Sequence, residues 1–326
     1  MQPPQSIVNE RIPAELKQVL KKQGYHIVGT HSATKKCRWL HNSLVYNRPC
    51  YKEKFYGISS HRCLQASPAI LNCLTRCVHC WRLMPGDEGY SWSDTFGNIW
   101  DEPEFVAEGL IREHKRIVCG YGALVKEGRV EKKRLEEALE PTNIALSLSG
   151  EPTIYPHLAE LIQEFKKRGM TVFLVTSGVL PRALKKIADS EFKPTQLYIS
   201  LTGWDAESYQ TLNRPIDEKL WSALQQSLEI MTTLTCPTVF RVTVIHGLND
   251  GGEAVKGFSK MIAKYQPTYV EAKAYMHVGY STKRLKRANM PTYSQVKTLA
   301  EALHKQTGYQ IANEEADSRV ILLKKK

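Results

Sequence analysis

Three cysteines stand close together in Cys73-Leu74-Thr75-Arg76-Cys77-Val78-His79-Cys80, a C-x3-C-x2-C triplet. Three thiolates from one short loop can hold three corners of an iron–sulfur cubane and leave the fourth iron without a protein ligand. Zinc sites usually need four ligands and favour C-x2-C pairs. His79 and the neighbouring cysteines are poorly spaced to finish a tetrahedron, so zinc would require a ligand borrowed from elsewhere in the chain. A second set, Cys37, Cys50 and Cys63, is separated by twelve residues each time. That spacing is foreign to zinc fingers. It is either three scattered core thiols or a second three-thiolate cluster, whose open iron would bind a substrate oxygen as a Lewis acid. Cys119 and Cys236 could close such a cluster, but their distance in sequence favours core roles for both. Lys52 lies two residues after Cys50. Buried near cationic iron, its amine would lose its proton more readily and become a nucleophile near neutral pH. In an exposed loop it would be an ordinary solvated lysine, and Lys54 is the neighbouring candidate.

The composition bounds what these residues can be part of. The 326 residues are 42% hydrophobic and 24% charged, close to an average globular protein, which excludes disorder, collagen and coiled coil. No stretch approaches the ~20 apolar residues of a spanning helix, and the opening Met1-Gln2-Pro3-Pro4 has no signal-peptide apolar core. The expected location is therefore cytoplasmic, with no membrane association. Thiols stay reduced there, so the six of eight cysteines clustered between positions 37 and 80 read as metal ligands before disulfides. A formal net charge of +12 points to a polyanionic partner, nucleic acid first, or else to a merely solvated basic surface.

The elements that must position the cysteines alternate. An amphipathic helix with Leu16, Val19 and Leu20 on one face ends at Gly24, and residues 25–28 read as a short strand. Ser32 is placed to cap a second helix carrying Cys37, Trp39, Leu40 and Leu44, and residues 51–63 read as a loop. Strand-like runs follow at 63–66, 143–149, 171–176, 196–202, 238–245 and 269–275, most of them separated by helical patterns such as Leu158, Leu161, Ile162 and Phe165. The expected fold class is α/β, a partial (β/α)6 barrel. It would comprise an N-terminal extension over 1–63, the barrel over 64–282 and a basic C-terminal extension over 283–326. The last segment would hold a helix near 294–304 and a strand near 319–323. The C-x3-C-x2-C triplet falls at the end of the first barrel strand, where such folds place their active loops.

Triplet, position and rhythm together resemble the radical S-adenosyl-L-methionine superfamily. The resemblance implies a [4Fe–4S] cluster on Cys73, Cys77 and Cys80 whose open iron chelates S-adenosyl-L-methionine and cleaves it to a 5′-deoxyadenosyl radical. Ser149-Gly150-Glu151-Pro152 resembles the superfamily's Gly-Glu-Pro element, whose backbone and carboxylate receive the methionine ammonium. Thr176, and Ser200 within Tyr198-Ile199-Ser200-Leu201-Thr202, fall where ribose and carboxylate are contacted, and residues 244–249 resemble the segment near adenine. The aromatic that usually precedes the last cysteine is His79 here, with Trp81 following.

The two triplets together resemble the family of archaeal tRNA 4-demethylwyosine synthases of wybutosine biosynthesis, over essentially the whole chain. That resemblance implies two [4Fe–4S] clusters and a reaction of N1-methylguanosine beside the anticodon of tRNA-Phe with pyruvate, yielding a tricyclic base. It also implies a Schiff base between Lys52 and pyruvate. The flavodoxin-like domain of eukaryotic relatives is missing, which implies an external electron donor of flavodoxin or ferredoxin type; a monomer is expected. The tRNA phosphates would meet Lys283, Arg284, Lys286 and Arg287, or Arg112, Lys115 and Arg116 on a separate helix. Two alternatives are a radical tRNA methylthiotransferase and a zinc-stabilised RNA-binding module. The last forty-odd residues are too short and too helical for the RNA-binding barrel of the former.

Overall fold

The structure is a computed structural model that describes residues 12–91 and 99–326. The opening Met1-Gln2-Pro3-Pro4 lies outside them. Among the described residues the chain forms ten strands. These are β1 (Tyr25–Val28), β2 (Ser32–Lys35), β3 (Cys63–Ser67), β4 (Asn143–Leu146), β5 (Thr171–Thr176), β6 (Gln196–Leu201), β7 (Thr238–Val244), β8 (Tyr269–Ala274), β9 (Gln310–Glu315) and β10 (Val320–Lys324). They make one sheet in the order β1-β2-β3-β4-β5-β6-β7-β8-β10-β9. The central six, β3 to β8, pair in parallel in chain order. Antiparallel strands extend both ends, β2 on β3 and β10 on β8.

Among the described residues the helices are α1 (Ala14–Lys22), α2 (Arg38–Tyr46), α3 (Tyr51–Tyr56), α4 (Pro103–Cys119), α5 (Gly122–Lys126), α6 (Lys132–Leu139), α7 (Leu158–Lys167), α8 (Pro181–Asp189), α9 (Ala206–Asn213), α10 (Leu220–Met231), α11 (Gly252–Tyr265) and α12 (Tyr293–Thr307). The parallel strands need crossovers, and the helices from α4 to α11 supply them. Side chains alternate along each strand. Ile144, Leu146, Val172, Leu174, Leu197, Ile199, Phe240 and Val242 therefore pack beneath the helices in the main core. Their neighbours Ala145, Phe173, Tyr198 and Val239 form a separate cluster on the opposite, inner face, joined by Ile58, Tyr56, Cys63 and Tyr269. Full burial of each such apolar side chain contributes about 2 kcal/mol. The architecture is the expected α/β partial (β/α)6 barrel.

The ends of the chain depart from the sequence expectation. Ser32 begins β2 instead of capping a helix, because Ser32, Ala33 and Thr34 are buried between β1 and β3. Cys37 is the residue that caps α2. Residues 51–56, read as loop, form α3, stopped by Gly57 in the left-handed region at φ 70°. β9 is a strand that periodicity alone did not suggest: its residues alternate only weakly in burial. The N-terminal, central and C-terminal segments thus share one sheet.

Candidate active site

The cysteine loop follows β3 and is tied to the end of α9. Val78 N donates to Leu212 O at 2.9 Å and Arg76 N to Asn213 O at 3.0 Å. Thr75 Oγ1 lies 3.5 Å from Cys73 Sγ and 3.4 Å from Cys77 Sγ, so one hydroxyl sits between the two sulfurs. Asn213 Nδ2 reaches Cys77 Sγ at 3.5 Å. All three thiols of the triplet are free of disulfides. Burial pushes Cys73 up to about 11 and Cys77 up to about 12, helped by the Glu151 carboxylate at Cys73 and by the neighbouring sulfurs at Cys77. Any metal bound here must therefore displace protons, which makes its affinity pH-dependent. His79, between two of the cysteines, is held neutral by burial and by Arg82 and Arg284, its pKa down to about 4. Buried polar atoms around the loop stand without hydrogen-bond partners: Asn72 Oδ1, His79 Nδ1, Tyr209 OH and Asn213 Oδ1. Unsatisfied buried groups in such number mark a place that a bound group completes. Among the described residues no three His, Cys, Asp or Glu side chains converge on a point that could hold a single metal ion.

The Ser149–Pro152 turn closes against this loop. Gly150 has φ +70°, and a Cβ there would run into the Ala69 carbonyl oxygen and lie 2.6 Å from that of Asn72, so only glycine fits. Glu151 N donates to Asn72 O at 2.6 Å. The Glu151 carboxylate is buried and already takes five donors. Oε1 accepts from Thr153 N, Thr153 Oγ1 and Thr176 Oγ1 at 3.1, 2.6 and 2.5 Å, and Oε2 from Ser177 N and Oγ at 2.7 and 2.6 Å. A carboxylate offers about four lone-pair sites, so this one is full. In this arrangement Glu151 joins the turn after β4 to the end of β5. The Thr176 hydroxyl is likewise engaged, donating to Glu151 and accepting from Gly178 N at 3.0 Å. Ser149 is buried, its side chain against the Tyr25 hydroxyl. Ser200 lies half-buried on β6, opposite Arg241 of β7.

The second triad gathers at the barrel interior. Cys37 and Cys50 cap α2 and α3, and Cys63 opens β3 on its inner face. Burial raises all three thiols, Cys50 to about 11, and Cys37 adds to the rise at Cys50 and, with Cys50, at Cys63. Backbone N–H groups of Trp39 and Leu40 oppose this at Cys37, as helix N-termini do for thiolates. Lys52, on α3, places Nζ 4.3 Å from the Phe173 ring centroid and 4.4 Å from that of Tyr198. Burial, and then the Arg241 guanidinium, push its pKa down, while Glu271 and the thiols oppose the shift.

The same interior holds charges that sequence reasoning missed. Glu271 is fully buried and ion-paired to Arg241 at 2.5 Å. It accepts from Tyr56 OH at 2.6 Å and Tyr51 OH at 3.3 Å, while Arg241 also donates to Tyr51 OH at 2.7 Å. Two phenols of α3 thus hang on one carboxylate, with Lys52 between them in the chain. Lys273 is pushed down to about 8, by burial first and Arg241 second. A signal was present: Arg241, Glu271 and Lys273 alternate with apolar residues in Phe240-Arg241-Val242 and Val270-Glu271-Ala272-Lys273-Ala274. Both are parallel strands that would otherwise be continuously hydrophobic.

The basic residues divide. Lys286 and Arg287 are exposed, and Lys283 is exposed but lies 3.3 Å from Glu88. Arg284 is a correction: its side chain is only 10% exposed, paired to Asp87 at 3.0 Å and donating to Asp87 and to Cys80 O. It clamps the cysteine loop and cannot meet a phosphate. Replacing Arg284 by Ala leaves the buried Asp87 carboxylate with the Met84 N–H but without its cation, a broken buried pair that costs ~3–5 kcal/mol. The urea midpoint should fall accordingly, while the salt dependence of polyanion binding stays as it was; a reduced salt slope at unchanged stability would reverse this assignment. On the outer helix α4, Lys115 is paired to Glu140 and Arg116 to Glu113. Cys119, expected in a core, is exposed at the end of α4, and Cys236 is partly buried. No described helix is long and apolar enough to cross a membrane.

Comparison with known proteins joins these features. Residues 68–256 match the Radical SAM superfamily and residues 264–325 match a family described as Wyosine base formation. The S-adenosyl-L-methionine-dependent tRNA 4-demethylwyosine synthase of Pyrococcus abyssi is 43% identical over 97% of this chain and 90% of its own. That of Methanocaldococcus jannaschii is 41% identical over 96% of both. A solved structure of TYW1 with a lysine-pyruvate adduct bound superposes with a TM-score of 0.85 at 37% identity, covering 96% of each chain. Full-length identity at this level, on a barrel carrying the cysteine loop at the end of its first parallel strand, places the chain in the tRNA 4-demethylwyosine synthase family of radical S-adenosyl-L-methionine enzymes.

Proposed function

We propose that this chain condenses N1-methylguanosine, beside the anticodon of tRNA-Phe, with pyruvate to give the tricyclic 4-demethylwyosine base. The observation that carries this reading is the second triad: Cys37, Cys50 and Cys63 are gathered in the barrel interior next to the depressed amine of Lys52. A relative of the same fold binds a lysine-pyruvate adduct, which supports Lys52 as the corresponding amine here.

Cys73, Cys77 and Cys80 would hold one [4Fe–4S] cluster, and Cys37, Cys50 and Cys63 a second. When bound, the first cluster with S-adenosyl-L-methionine supplies a 5′-deoxyadenosyl radical able to take a hydrogen atom from an N-methyl carbon, a C–H bond with no usable acidity; the second offers an open iron as a Lewis acid. The backbone at Ser149 and Gly150, with Ser200 on the inner face, would meet S-adenosyl-L-methionine, and Glu151 with Thr176 keeps that turn in place.

The amine of Lys52 adds to the ketone carbon of pyruvate and water leaves, giving an imine that holds the keto acid inside the barrel. Its depressed pKa keeps a share of the amine unprotonated for that attack, and the faces of Phe173 and Tyr198 restrict where Nζ can go. Segment 1–63 then serves as the carrier of the second triad's ligands, 64–282 as the radical barrel and 283–326 as the basic extension. Lys283, Lys286 and Arg287 would contact phosphate, making affinity fall with salt. The target base lies in a single-stranded loop and can be splayed into the barrel mouth without opening a duplex. The electron comes from an external donor of flavodoxin or ferredoxin type.

The test is an anaerobic assay of N1-methylguanosine-containing tRNA-Phe with pyruvate, S-adenosyl-L-methionine and a reductant, read by mass spectrometry of the nucleosides. The tricyclic base is expected only when pyruvate is present. A methylthiolated nucleoside, or a product that forms without pyruvate, overturns the reading.

A further inference from the structure

Three cations point into the barrel beside the second triad, and they are not equivalent. Arg241 is committed: Glu271 and Tyr51 OH occupy it at 2.5 and 2.7 Å. Lys52 and Lys273 have no carboxylate within ion-pairing distance among the described residues. Lys52 lies against two ring faces. Lys273 donates to a backbone carbonyl, Ser318 O, at 3.0 Å, with the Tyr51 ring centroid 4.9 Å away. Glu271, the one buried carboxylate nearby, is already engaged by Arg241 and two phenols. The two lysines meet around one set of rings: Lys52 lies over Tyr198 and Lys273 over Tyr51, while Arg241 lies over Tyr198 and donates to the Tyr51 hydroxyl. An ammonium carries three donors, and the single carbonyl that Lys273 meets leaves donors for a carboxylate brought in from outside.

We propose that Lys273 receives the carboxylate of the keto acid whose carbonyl Lys52 attacks, so that the two lysines together select a 2-oxo acid over a neutral carbonyl compound. This rests on the reading of Lys52 given above. A carboxylate between them would take a charge-assisted hydrogen bond from Lys273, while Arg241, held by Glu271, keeps α3 and hence Lys52 in register with β7 and β8.

The test traps the imine on the anaerobically reconstituted full chain with cyanoborohydride and reads the covalent adduct by intact mass, without tRNA. Pyruvate is compared with acetaldehyde, which carries the carbonyl without the carboxylate. In Lys273→Gln, which keeps a hydrogen-bond donor for Ser318 O, the half-saturating pyruvate concentration should rise about tenfold or more, as expected for a lost hydrogen bond to a charged group. Trapping of acetaldehyde should match the wild type, and Lys273→Arg should recover most of the pyruvate response. An unchanged pyruvate response in Lys273→Gln overturns the proposal, as does equal weakening toward both carbonyls. Should Lys273→Gln fail to fold, Lys273→Met is read in the same way: a pyruvate response weakened beyond its acetaldehyde response supports the proposal, and equal or absent weakening overturns it. A wild-type chain that traps neither compound breaks the Lys52 reading and the proposal with it, whereas a wild type that traps both compounds equally well breaks the Lys273 proposal alone.

Discussion

Lys52→Ala produces no detectable tricyclic base, a fall of roughly three orders of magnitude or more, while the chain still cleaves S-adenosyl-L-methionine to 5′-deoxyadenosine. The two activities separate because they belong to different parts of the barrel. The cysteine loop lies at the end of β3, tied to α9 through Val78 and Arg76. Lys52 lies on α3, which hangs on Glu271 through Tyr51 and Tyr56. Truncating Lys52 leaves those phenols and their ion pair in place, so the loss is one of chemistry and not of architecture. Lys52→Arg should fail as completely, since a guanidinium keeps the charge but does not form the imine. Both variants are to be assayed with reconstituted protein, measuring 5′-deoxyadenosine and modified nucleoside in the same reaction. Normal tricyclic base from either one removes Lys52 from the mechanism.

How much of this was legible beforehand follows from what each residue depends on. The cysteine loop was readable because its three ligands are local: seven intervals of chain contain the whole donor set, and the strand before it announces itself by composition. The barrel strands were readable for the same reason, as apolar runs bounded by helices. Lys52 is marked in the sequence by its closeness to Cys50, but its helix is not, because a six-residue helix shows no period and is fixed by its ends, Cys50 and Gly57. The burial of Arg284 is hidden for the opposite reason. A run of four basic residues reads as a solvated face, and nothing local reveals that Asp87, almost two hundred positions away, buries one of them. Glu151 illustrates a third limit. Its place in the turn was legible, but the five donors that fill its carboxylate come from the ends of two strands and the turn between. Arg241, Glu271 and Lys273 are visible as polar residues in buried strands, and only the folded sheet shows that they share its inner face.

The two triads should be separable by metal content. Reconstituted wild-type protein is expected to hold about eight irons with equal sulfide, two cubanes of four each. Cys77→Ala should retain about half and lose S-adenosyl-L-methionine cleavage altogether, since the cleavage belongs to the group on the loop triad. Cys50→Ala should also retain about half, but keep that cleavage and lose the tricyclic base. The difference between the variants, not the loss in either, is the informative quantity: a general failure of folding would lower both activities together. The electrostatics argue that each triad stands or falls as a unit. Burial raises every thiol of the second triad, and fellow sulfurs add to it at Cys50 and Cys63, while Lys52, Lys273 at Cys50 and a few backbone N–H groups oppose. Removing one sulfur leaves two protonated thiols that no longer span a cluster, so partial occupancy is not expected. Full iron in Cys50→Ala with normal product would show that the second triad is three core thiols after all. The interior charges around Lys52 would then need another anion to explain them.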